Sequence, residues 1–146
     1  MIVGLSEESE VGRVSFLRGR KAMDIIEEWQ TQWKHTHFTA GKTVKNFTKL
    51  PVRLVGTKFQ TDVWREIMHI ARGKVASYSE VARRIKKPGA ARAVGTACGS
   101  NILAYIVPCH RVVSANGIGG YGPGGLDTKR ALLAAEGVTH YAIKGH

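Results

Sequence analysis

The chain has 146 residues, a formal net charge of +11 at pH 7 and two cysteines. This length suits one compact domain, or one domain with a small appendage, that buries its core without metals, and two cysteines exclude a disulfide framework. The chain start lacks the basic and apolar stretches of a secretory signal, and the longest apolar run, ILAYIV, is far shorter than a membrane span. These features predict a soluble intracellular protein with reduced thiols.

The positive charge is concentrated in the later part of the chain. Residues 1–50 carry 8 basic and 6 acidic side chains, whereas residues 51–146 carry 14 and 5. A basic region of this kind attracts the phosphates of nucleic acid. A solvated basic surface without such a partner has the same composition, so charge alone leaves both interpretations open.

The first 50 residues predict a small α/β region. Residues 2–5 and 12–17 have the β-branched and aromatic composition of two short strands joined by a polar connection. Apolar residues recur at helical spacing over 21–35, which predicts an amphipathic helix. Residues 35–50 lack periodicity and are interpreted as a linker, so the domain boundary is placed at its end.

Two capped helices are predicted next. Thr57 and Gln60 have capping-box spacing ahead of an apolar stripe, which predicts a helix over 58–71. Ser77 and Glu80 repeat this spacing ahead of a shorter helix that stops at KKPG.

The next segment, AARAVGTAC over 90–98, predicts a helix built mostly of small residues. Two short helices around a break that contains glycine make a helix-turn-helix candidate, a pattern that many helical hairpins share. Arg92 lies in the first turn among side chains small enough for the backbone to approach a large partner closely.

Three elements complete the chain. ILAYIV over 102–107 is predicted as a buried strand that Pro108 ends. Residues 114–125 form a glycine-rich loop. A last helix is predicted after Asp127 as its N-cap, with Gly137 closing it.

The dipeptide Cys109-His110 is the candidate chemical centre. In a regular strand the two side chains would point to opposite faces, so a thiol–imidazole pair needs an irregular backbone or an intervening water. A small buried hydrophobe followed by a structural histidine would give the same dipeptide, and Cys98, mid-helix among small residues, is predicted to be inert. The glycine-rich loop lacks a phosphate-binding pattern, and no metal-ligand spacing is found among the histidines and cysteines.

Six motifs occur in the order GTKFQTDVW, VASYSEVARRI, PGAARAVGTACGSN, VPCHRVV, GGYGPGGL and KRALLAAEG. In this order and at these intervals they resemble the catalytic domain of the methylated-DNA-protein-cysteine methyltransferases, also called O6-alkylguanine-DNA alkyltransferases. The resemblance runs over about residues 51–138. It implies an α+β protein with a small N-terminal α/β region (hairpin plus helix) at 1–50. A mainly helical, winged helix-turn-helix-like domain for DNA binding and catalysis would follow at 51–146.

The resemblance also implies roles for the candidate centre. Cys109 would accept the alkyl group from guanine O6, irreversibly and once per molecule, with its thiolate as the nucleophile. His110 would act as its base through a water, and Glu136 would hold His110. Tyr78 would crowd the target phosphate and donate a hydrogen bond to the base, and Asn101 would brace the turn that carries the site.

DNA binding is implied to occur from the minor groove, with the damaged base flipped out of the duplex. Arg92 would fill the vacated place. Small residues of the recognition helix would allow close approach without reading sequence, namely Ala90, Ala91, Ala93 and Gly95. The implied partner is double-stranded DNA that contains O6-alkylguanine, with O4-alkylthymine as a further substrate, bound by a monomer that needs no cofactor. Its location would be the cytoplasm and nucleoid, or the nucleus of a eukaryote.

The alkyl pocket is implied to lie under the glycine-rich loop. Tyr121 would border it together with Pro123 and Gly124, and the backbones of Cys109 and Val112 would read the guanine edge. The stretch between the tyrosine and the Gly-Gly pair is one residue longer than in the commoner family form. Pro123 also stands where a small polar residue or glycine often lies, so the width of the pocket is left open.

Three other functions fit part of the sequence. A non-reacting module that recognises alkylated DNA is one, but members of that kind usually place Trp where this chain has Cys109. A Cys-His hydrolase of acyl substrates would need an oxyanion hole and leaves the basic region unexplained. A plain helix-turn-helix regulator would explain the basic region but not Cys109, His110 and Glu136 together.

Overall fold

The computed structural model describes residues 2–5, 11–15, 54–101, 103, 106–121 and 125–141. The architecture is α+β and mainly helical, as predicted. Its elements in chain order are β1 (Ile2–Leu5), β2 (Val11–Ser15), α1 (Lys58–Met68), β3 (Ala76–Ser77), α2 (Tyr78–Arg84), α3 (Ala91–Gly99), a 3₁₀ turn (Cys109–Arg111), β4 (Val112–Val113) and α4 (Gly125–Ala135).

Strands β1 and β2 confirm the N-terminal hairpin. They pair antiparallel with Ile2 opposite Ser15 and an irregularity between Gly4 and Leu5. β2 covers 11–15 instead of 12–17. The predicted helix over 21–35 and the linker over 35–50 lie outside the described residues, and the domain boundary stays a prediction.

Helix α1 begins at the predicted capping box. Thr57 Oγ1 accepts from the Gln60 amide at 3.1 Å, and Gln60 Oε1 accepts from the Thr57 amide at 2.9 Å, so two N–H groups that lack intrahelical partners are satisfied. The helix ends at Met68, three residues before the predicted end. His69 and Ile70 donate to carbonyls three residues back, at 3.1 and 3.0 Å, which tightens the chain beyond α1 into 3₁₀ geometry.

Helices α2 and α3 pack against α1. Ser77 Oγ accepts from the Glu80 amide at 3.0 Å and caps α2. The Glu80 carboxylate binds Arg84 one turn later. The indole of Trp64 in α1 donates to the Ala97 carbonyl of α3 at 2.9 Å. The buried residues that join the three helices are Val63, Trp64, Ile67, Val81, Ala82, Val94, Ala97 and Cys98.

Strands β3 and β4 form a short parallel pair, with Ala76 opposite Val112 and Ser77 opposite Val113. β3 leads directly into α2, and β4 directly follows the 3₁₀ turn. The pair therefore holds the N-terminus of α2 beside the turn that contains Cys109.

The predicted strand over 102–107 is wrong. Val107 donates to the Leu103 carbonyl at 2.9 Å, which closes a turn that an extended strand cannot form. The Leu103 amide is occupied by Asn101 Oδ1 at 2.8 Å, a local side-chain bond that competes with strand pairing. The predicted burial is correct, because Leu103 and Val107 both lie in the core.

Helix α4 begins at Gly125, so the prediction that Asp127 is its N-cap is wrong. Asp127 lies inside the first turn, where a carboxylate is favoured by the helix dipole, and it pairs with Arg130 at 3.5 Å. The predicted end is confirmed, because Gly137 follows the helix with φ +81. No helix in the described ranges is long and apolar enough to cross a membrane.

Helices α2 and α4 end in the same Schellman hydrogen-bond pattern. After α2, Lys86 donates to Arg83 and Lys87 to Ala82, both at 2.9 Å. After α4, Gly137 donates to Ala134 at 3.0 Å, and the next residue donates to Leu133 at 2.9 Å. The left-handed position is occupied by Lys86 at φ 62 in the first case and by glycine in the second, and this conformation strains any residue with a Cβ.

This difference predicts opposite effects on stability. Gly137→Ala should lower the free energy of unfolding by about 1 kcal/mol, because alanine is strained at this φ. Lys86→Gly should raise it by about 0.5 kcal/mol, since relief of strain is partly offset by a more flexible unfolded chain. Urea denaturation measures both changes. Gly89→Ala, with no atom within 4 Å of the added Cβ, is the control, and equal effects at Gly89 and Gly137 would contradict the assignment.

Candidate active site

Cys109 lies at the start of a tight, irregular segment. Pro108 has φ −78 and ψ 63, and the Cys109 amide donates to the Val107 carbonyl at 2.7 Å, which together make an inverse γ-turn. The 3₁₀ turn Cys109–Arg111 follows, and successive side chains there are rotated by about 120° rather than 180°. The irregular backbone that a thiol–imidazole pair requires is therefore present.

Asn101 braces this segment with its side chain. Its Nδ2 donates to the Val107 carbonyl at 2.9 Å and to Cys109 Sγ at 3.2 Å, while its Oδ1 accepts from the Leu103 amide at 2.8 Å. Asn101 is 7% exposed, so these bonds are shielded from water. The side chain that ties the turn together thus also contacts the thiol.

The Cys109 thiol is buried, with the residue 2% exposed. Burial raises the pKa of Cys109 well above its ordinary value, and the Cys98 thiol raises it further, whereas the Asn101 hydrogen bond and the Lys129 charge lower it. The resting group is therefore a thiol at neutral pH. Forming the nucleophilic thiolate requires a base to take its proton.

His110 and Glu136 form a buried pair next to the thiol. His110 Nε2 lies 2.9 Å from Glu136 Oε1, and the two side chains are 0% and 3% exposed. Burial lowers the pKa of His110 below its ordinary value, against the opposing effect of Glu136. Although burial acts to raise the pKa of Glu136, hydrogen bonds from Arg111 and His110 hold it at about 2.

These protonation states fix the tautomer of His110. An ionised carboxylate only accepts hydrogen bonds, so the contact at 2.9 Å places the histidine proton on Nε2. The lone pair of the neutral ring is then on Nδ1, which is the nitrogen able to take up a proton.

Arg111 holds the Glu136 carboxylate from the other side. Its Nη2 and Nε donate to Oε1 and Oε2 at 2.8 and 3.0 Å, and its Nη1 donates to the Ile70 carbonyl at 2.7 Å. The Gly73 amide adds a longer contact to Oε2 at 3.4 Å. Glu136 follows the last residue of α4 directly, so the chain reversal at Gly137 also sets the direction of its carboxylate.

Tyr78 is the first residue of α2 and lies beside the glycine-rich loop. Its phenol donates to the Gly120 carbonyl at 3.4 Å, and burial raises its pKa. A Cβ at Gly119 would lie 2.7 Å from the Tyr78 hydroxyl, and Gly119 itself has φ +72. A side chain at this position would therefore collide with Tyr78. On the other side, a Cβ at Gly95 of α3 would lie 3.9 Å from the Tyr78 ring.

Tyr121 packs against the core cluster that contains Cys109. Its hydroxyl is buried and has no hydrogen-bond partner among the described residues, and burial raises its pKa. The phenol is therefore protonated at neutral pH. Val112, the other residue assigned to the pocket, is fully buried, whereas Pro123 and Gly124 lie outside the described residues.

The residues assigned to DNA lie around α3. Arg92 and Ala93 are exposed, while Ala90, Ala91 and Gly95 are half-buried. The opposite side of α3 is buried through Val94, Ala97 and Cys98. The structure thus places Asn101 against the Cys109 thiol and pairs His110, the next residue, with Glu136. Tyr78 lies against the glycine-rich loop, whereas Arg92 lies on the exposed face of α3.

Sequence reasoning missed Arg111 and Lys129. Lys129 is fully buried, and its Nζ donates to the Val112 and Gly120 carbonyls at 2.7 and 2.8 Å. A signal was present, because Lys129 precedes buried Leu133 by four residues and so falls on the apolar face of α4. In the described ranges no group of three or more His, Cys, Asp and Glu side chains is placed to hold a metal ion.

The fold and site define a small α+β protein with a buried thiol beside a His–Glu pair. Residues 58–138 match the family model for the DNA-binding domain of 6-O-methylguanine DNA methyltransferase. The chain belongs to this family.

Known proteins resemble the chain over different lengths. A methylated-DNA–protein-cysteine methyltransferase of Mycolicibacterium paratuberculosis is 49% identical over 68% of this chain and 59% of its own length. One from Methanosarcina acetivorans is 36% identical over 90% of this chain and 88% of its own. The crystal structure of Mycobacterium tuberculosis OGT in complex with DNA has 50% identity and a TM-score of 0.59, and covers 61% of this chain and 54% of that one. The chain therefore spans about three fifths of the mycobacterial relative's length.

The contacts of Glu136 with His110 and Arg111 predict that the contribution of Glu136 to stability depends on pH. Glu136→Gln should lower the free energy of unfolding at pH 7 by about 3 kcal/mol, because it leaves the partly buried guanidinium of Arg111 without its charge partner. The pKa of Glu136 is lowered from 4.5 to about 2 on folding, so its contribution is complete above pH 4.5 and disappears as pH falls toward 2.

Urea denaturation between pH 2 and 7 measures this difference. Asp127→Asn is the control, because it removes a carboxylate from α4 whose side chain is 98% exposed. The free energies of unfolding of Glu136→Gln and the unmodified protein should converge toward pH 2. If their difference stayed constant from pH 7 to pH 2, the pKa of Glu136 would not be lowered by folding as described.

Proposed function

We propose that this protein removes a methyl or other small alkyl group from O6 of guanine in double-stranded DNA and transfers it to Sγ of Cys109. The observation that carries the proposal is the buried Cys109 thiol, contacted by Asn101 and adjacent in sequence to the neutral His110 paired with Glu136. O4-alkylthymine is a further substrate of the same chemistry. The related OGT structure with DNA supports DNA as the partner.

The reaction begins with proton removal. Nδ1 of His110 accepts the Cys109 proton through a water, and the Glu136 carboxylate, 2.9 Å from Nε2, stabilises the imidazolium that forms. The ion pair between His110 and Glu136 exists only in this state, since the resting histidine is neutral. Its formation therefore favours the thiolate.

The thiolate then displaces the alkyl group in line. The S–C bond forms as the bond between the alkyl carbon and O6 breaks, and the bonding electron pair leaves with guanine. The guanine anion takes up one proton from water, and the His110 imidazolium releases the proton that it took from the thiol. Tyr78, a protonated phenol because its pKa is raised by burial, exchanges its 3.4 Å bond to Gly120 for one to the base. The thioether product has no chemical route back, so each molecule reacts once.

DNA binding is assigned to the surface formed by α2, the turn after it and α3. Exposed basic side chains in this region are Arg83, Arg84, Lys86, Lys87 and Arg92. The minor groove is favoured because Ala90, Ala91, Ala93 and Gly95 let the backbone approach closely. Arg92, exposed between small residues, fills the position of the flipped base. One copy of the chain carries every residue of this scheme, so the functional unit is a monomer. It acts in the compartment that contains the DNA of the cell.

Cys109→Ser should abolish alkyl transfer and retain DNA binding, because serine is a much weaker nucleophile of similar size. Intact mass after mixing with a duplex that contains one O6-methylguanine measures transfer, and peptide mapping locates the methyl group. Cys98→Ser is the matched control and should react fully. Tight binding without any mass gain in the unmodified protein would instead indicate a module that recognises alkylated DNA without reacting.

Arg92→Ala should slow transfer at least tenfold more from duplex than from single-stranded DNA, since only the duplex has a stack to be held open. Arg65→Ala, which removes an exposed guanidinium from α1, is the control for loss of charge. Single-turnover rates on both substrates give the comparison. If Arg92→Ala slowed transfer from duplex and from single-stranded DNA equally, Arg92 would act only by binding the phosphates.

A further inference from the structure

Lys129 is a fully buried lysine whose hydrogen-bond acceptors are both backbone carbonyls. Its Nζ lies 2.7 Å from the Val112 oxygen and 2.8 Å from the Gly120 oxygen, and 6.0 Å from the centre of the Tyr78 ring. A buried ammonium without a carboxylate partner is costly, and such lysines usually have a counter-ion. Its retention in this core therefore calls for an explanation.

The two carbonyls belong to different segments of the chain near the site. Val112 begins β4 and directly follows the turn that carries Cys109, whereas Gly120 lies in the glycine-rich loop next to Tyr121. The Gly120 oxygen also accepts from the Tyr78 phenol at 3.4 Å. One ammonium thus links the segment under the thiol to the loop beside the alkyl pocket.

The charge of Lys129 also acts on the thiol. It lowers the pKa of Cys109, and burial in turn lowers the pKa of Lys129 itself to about 8. In the resting protein the thiol is neutral, so Lys129 pairs with no anion among the residues that the structure describes. When Cys109 ionises, the buried ammonium gains an opposite charge, which lowers the cost of creating the thiolate in the core.

We propose that Lys129 is a positioning residue for alkyl transfer, which ties the segment after the Cys109 turn to the glycine-rich loop through the Val112 and Gly120 carbonyls and supplies the positive charge that stabilises the Cys109 thiolate. This inference rests on the proposed function for its role in repair. Its effect on the thiol itself is independent of any DNA substrate.

The test uses the full chain with Cys98→Ser as background, so that Cys109 is the reacting thiol. Lys129→Met removes the charge and both donors at similar length, Lys129→Arg keeps a charge, and Arg130→Met removes an exposed charge from the next position of α4. Two rates are measured for each variant. They are the single-turnover transfer from a duplex with O6-methylguanine at saturating DNA, and the alkylation of Cys109 by iodoacetamide without DNA.

Lys129→Met should slow transfer at least tenfold and iodoacetamide alkylation at least fivefold, with the Kd for DNA changed less than twofold. Arg130→Met should match the background in the transfer rate, the iodoacetamide rate and the Kd for DNA. Lys129→Arg should retain more of the transfer and iodoacetamide rates than Lys129→Met. A merely structural role would not separate Lys129→Arg from Lys129→Met in iodoacetamide reactivity. Equal reactivity of Cys109 in Lys129→Met and the background would overturn the proposal.

The pH dependence of iodoacetamide alkylation provides a test that needs no change at Lys129. Thiolate formation increases the rate with pH, but loss of the Lys129 proton near pH 8 removes the stabilising charge, so the increase should weaken above pH 8. The groups facing Lys129 are Tyr78 from α2, Cys98 from α3, Cys109 and His110. Cys98 is absent from this background, His110 titrates below its ordinary pKa, and Tyr78 titrates above its own.

A uniform increase from pH 6 to 9.5 would contradict the proposal even if Lys129→Met failed to fold. Absence of transfer in the unmodified protein, with the iodoacetamide results as expected, would refute the proposed function and leave the role of Lys129 at the thiol standing.

Discussion

The carboxylate of Glu136 joins the charged and polar groups on one side of this site. Its two oxygens accept from His110 and Arg111, and from the Gly73 amide beyond α1. Arg111 extends the contact to the Ile70 carbonyl. Three segments distant in sequence therefore meet at one buried anion. Its low pKa reflects this arrangement, because protonation would remove the acceptor that all of them share.

Helix α4 carries Lys129, and Glu136 directly follows its last residue, so one segment supplies both charges that bear on the Cys109 turn. Lys129 and Glu136 are seven residues apart, which is two helical turns, and so they lie on the same face. Lys129 reaches the carbonyl of Val112 after the turn, whereas Glu136 reaches the side chains of His110 and Arg111 within it. A cation and an anion thus bracket the turn. The helix ends at Ala135, and Gly137, in the left-handed conformation, closes it two residues later.

The sequence predicts those features that local patterns encode. The Thr57 and Ser77 caps, the close of α4 at Gly137 and the burial of Val107 all follow from spacing within a few residues, and each is confirmed. The six motifs also led to the family. The prediction of a strand over 102–107 was wrong because a run of buried apolar residues is compatible with a strand and with a turn. The turn depends on hydrogen bonds of the Asn101 side chain, which the apolar pattern does not reveal. Lys129 and Arg111 were missed because a charged residue in the core is recognisable only once its long-range partners are known.

The close approach of Gly119 to Tyr78 limits how the glycine-rich loop can vary. A Cβ at Gly119 would lie 2.7 Å from the Tyr78 hydroxyl and 3.2 Å from the Ser114 amide nitrogen, so this one position of the loop is closed to larger residues. At the next residue, Gly120, no atom of the described residues lies within 4 Å of an added Cβ, so a side chain is accommodated there. Related proteins should therefore vary at the position of Gly120 and keep glycine at that of Gly119, so that the contact between the loop and Tyr78 stays constant.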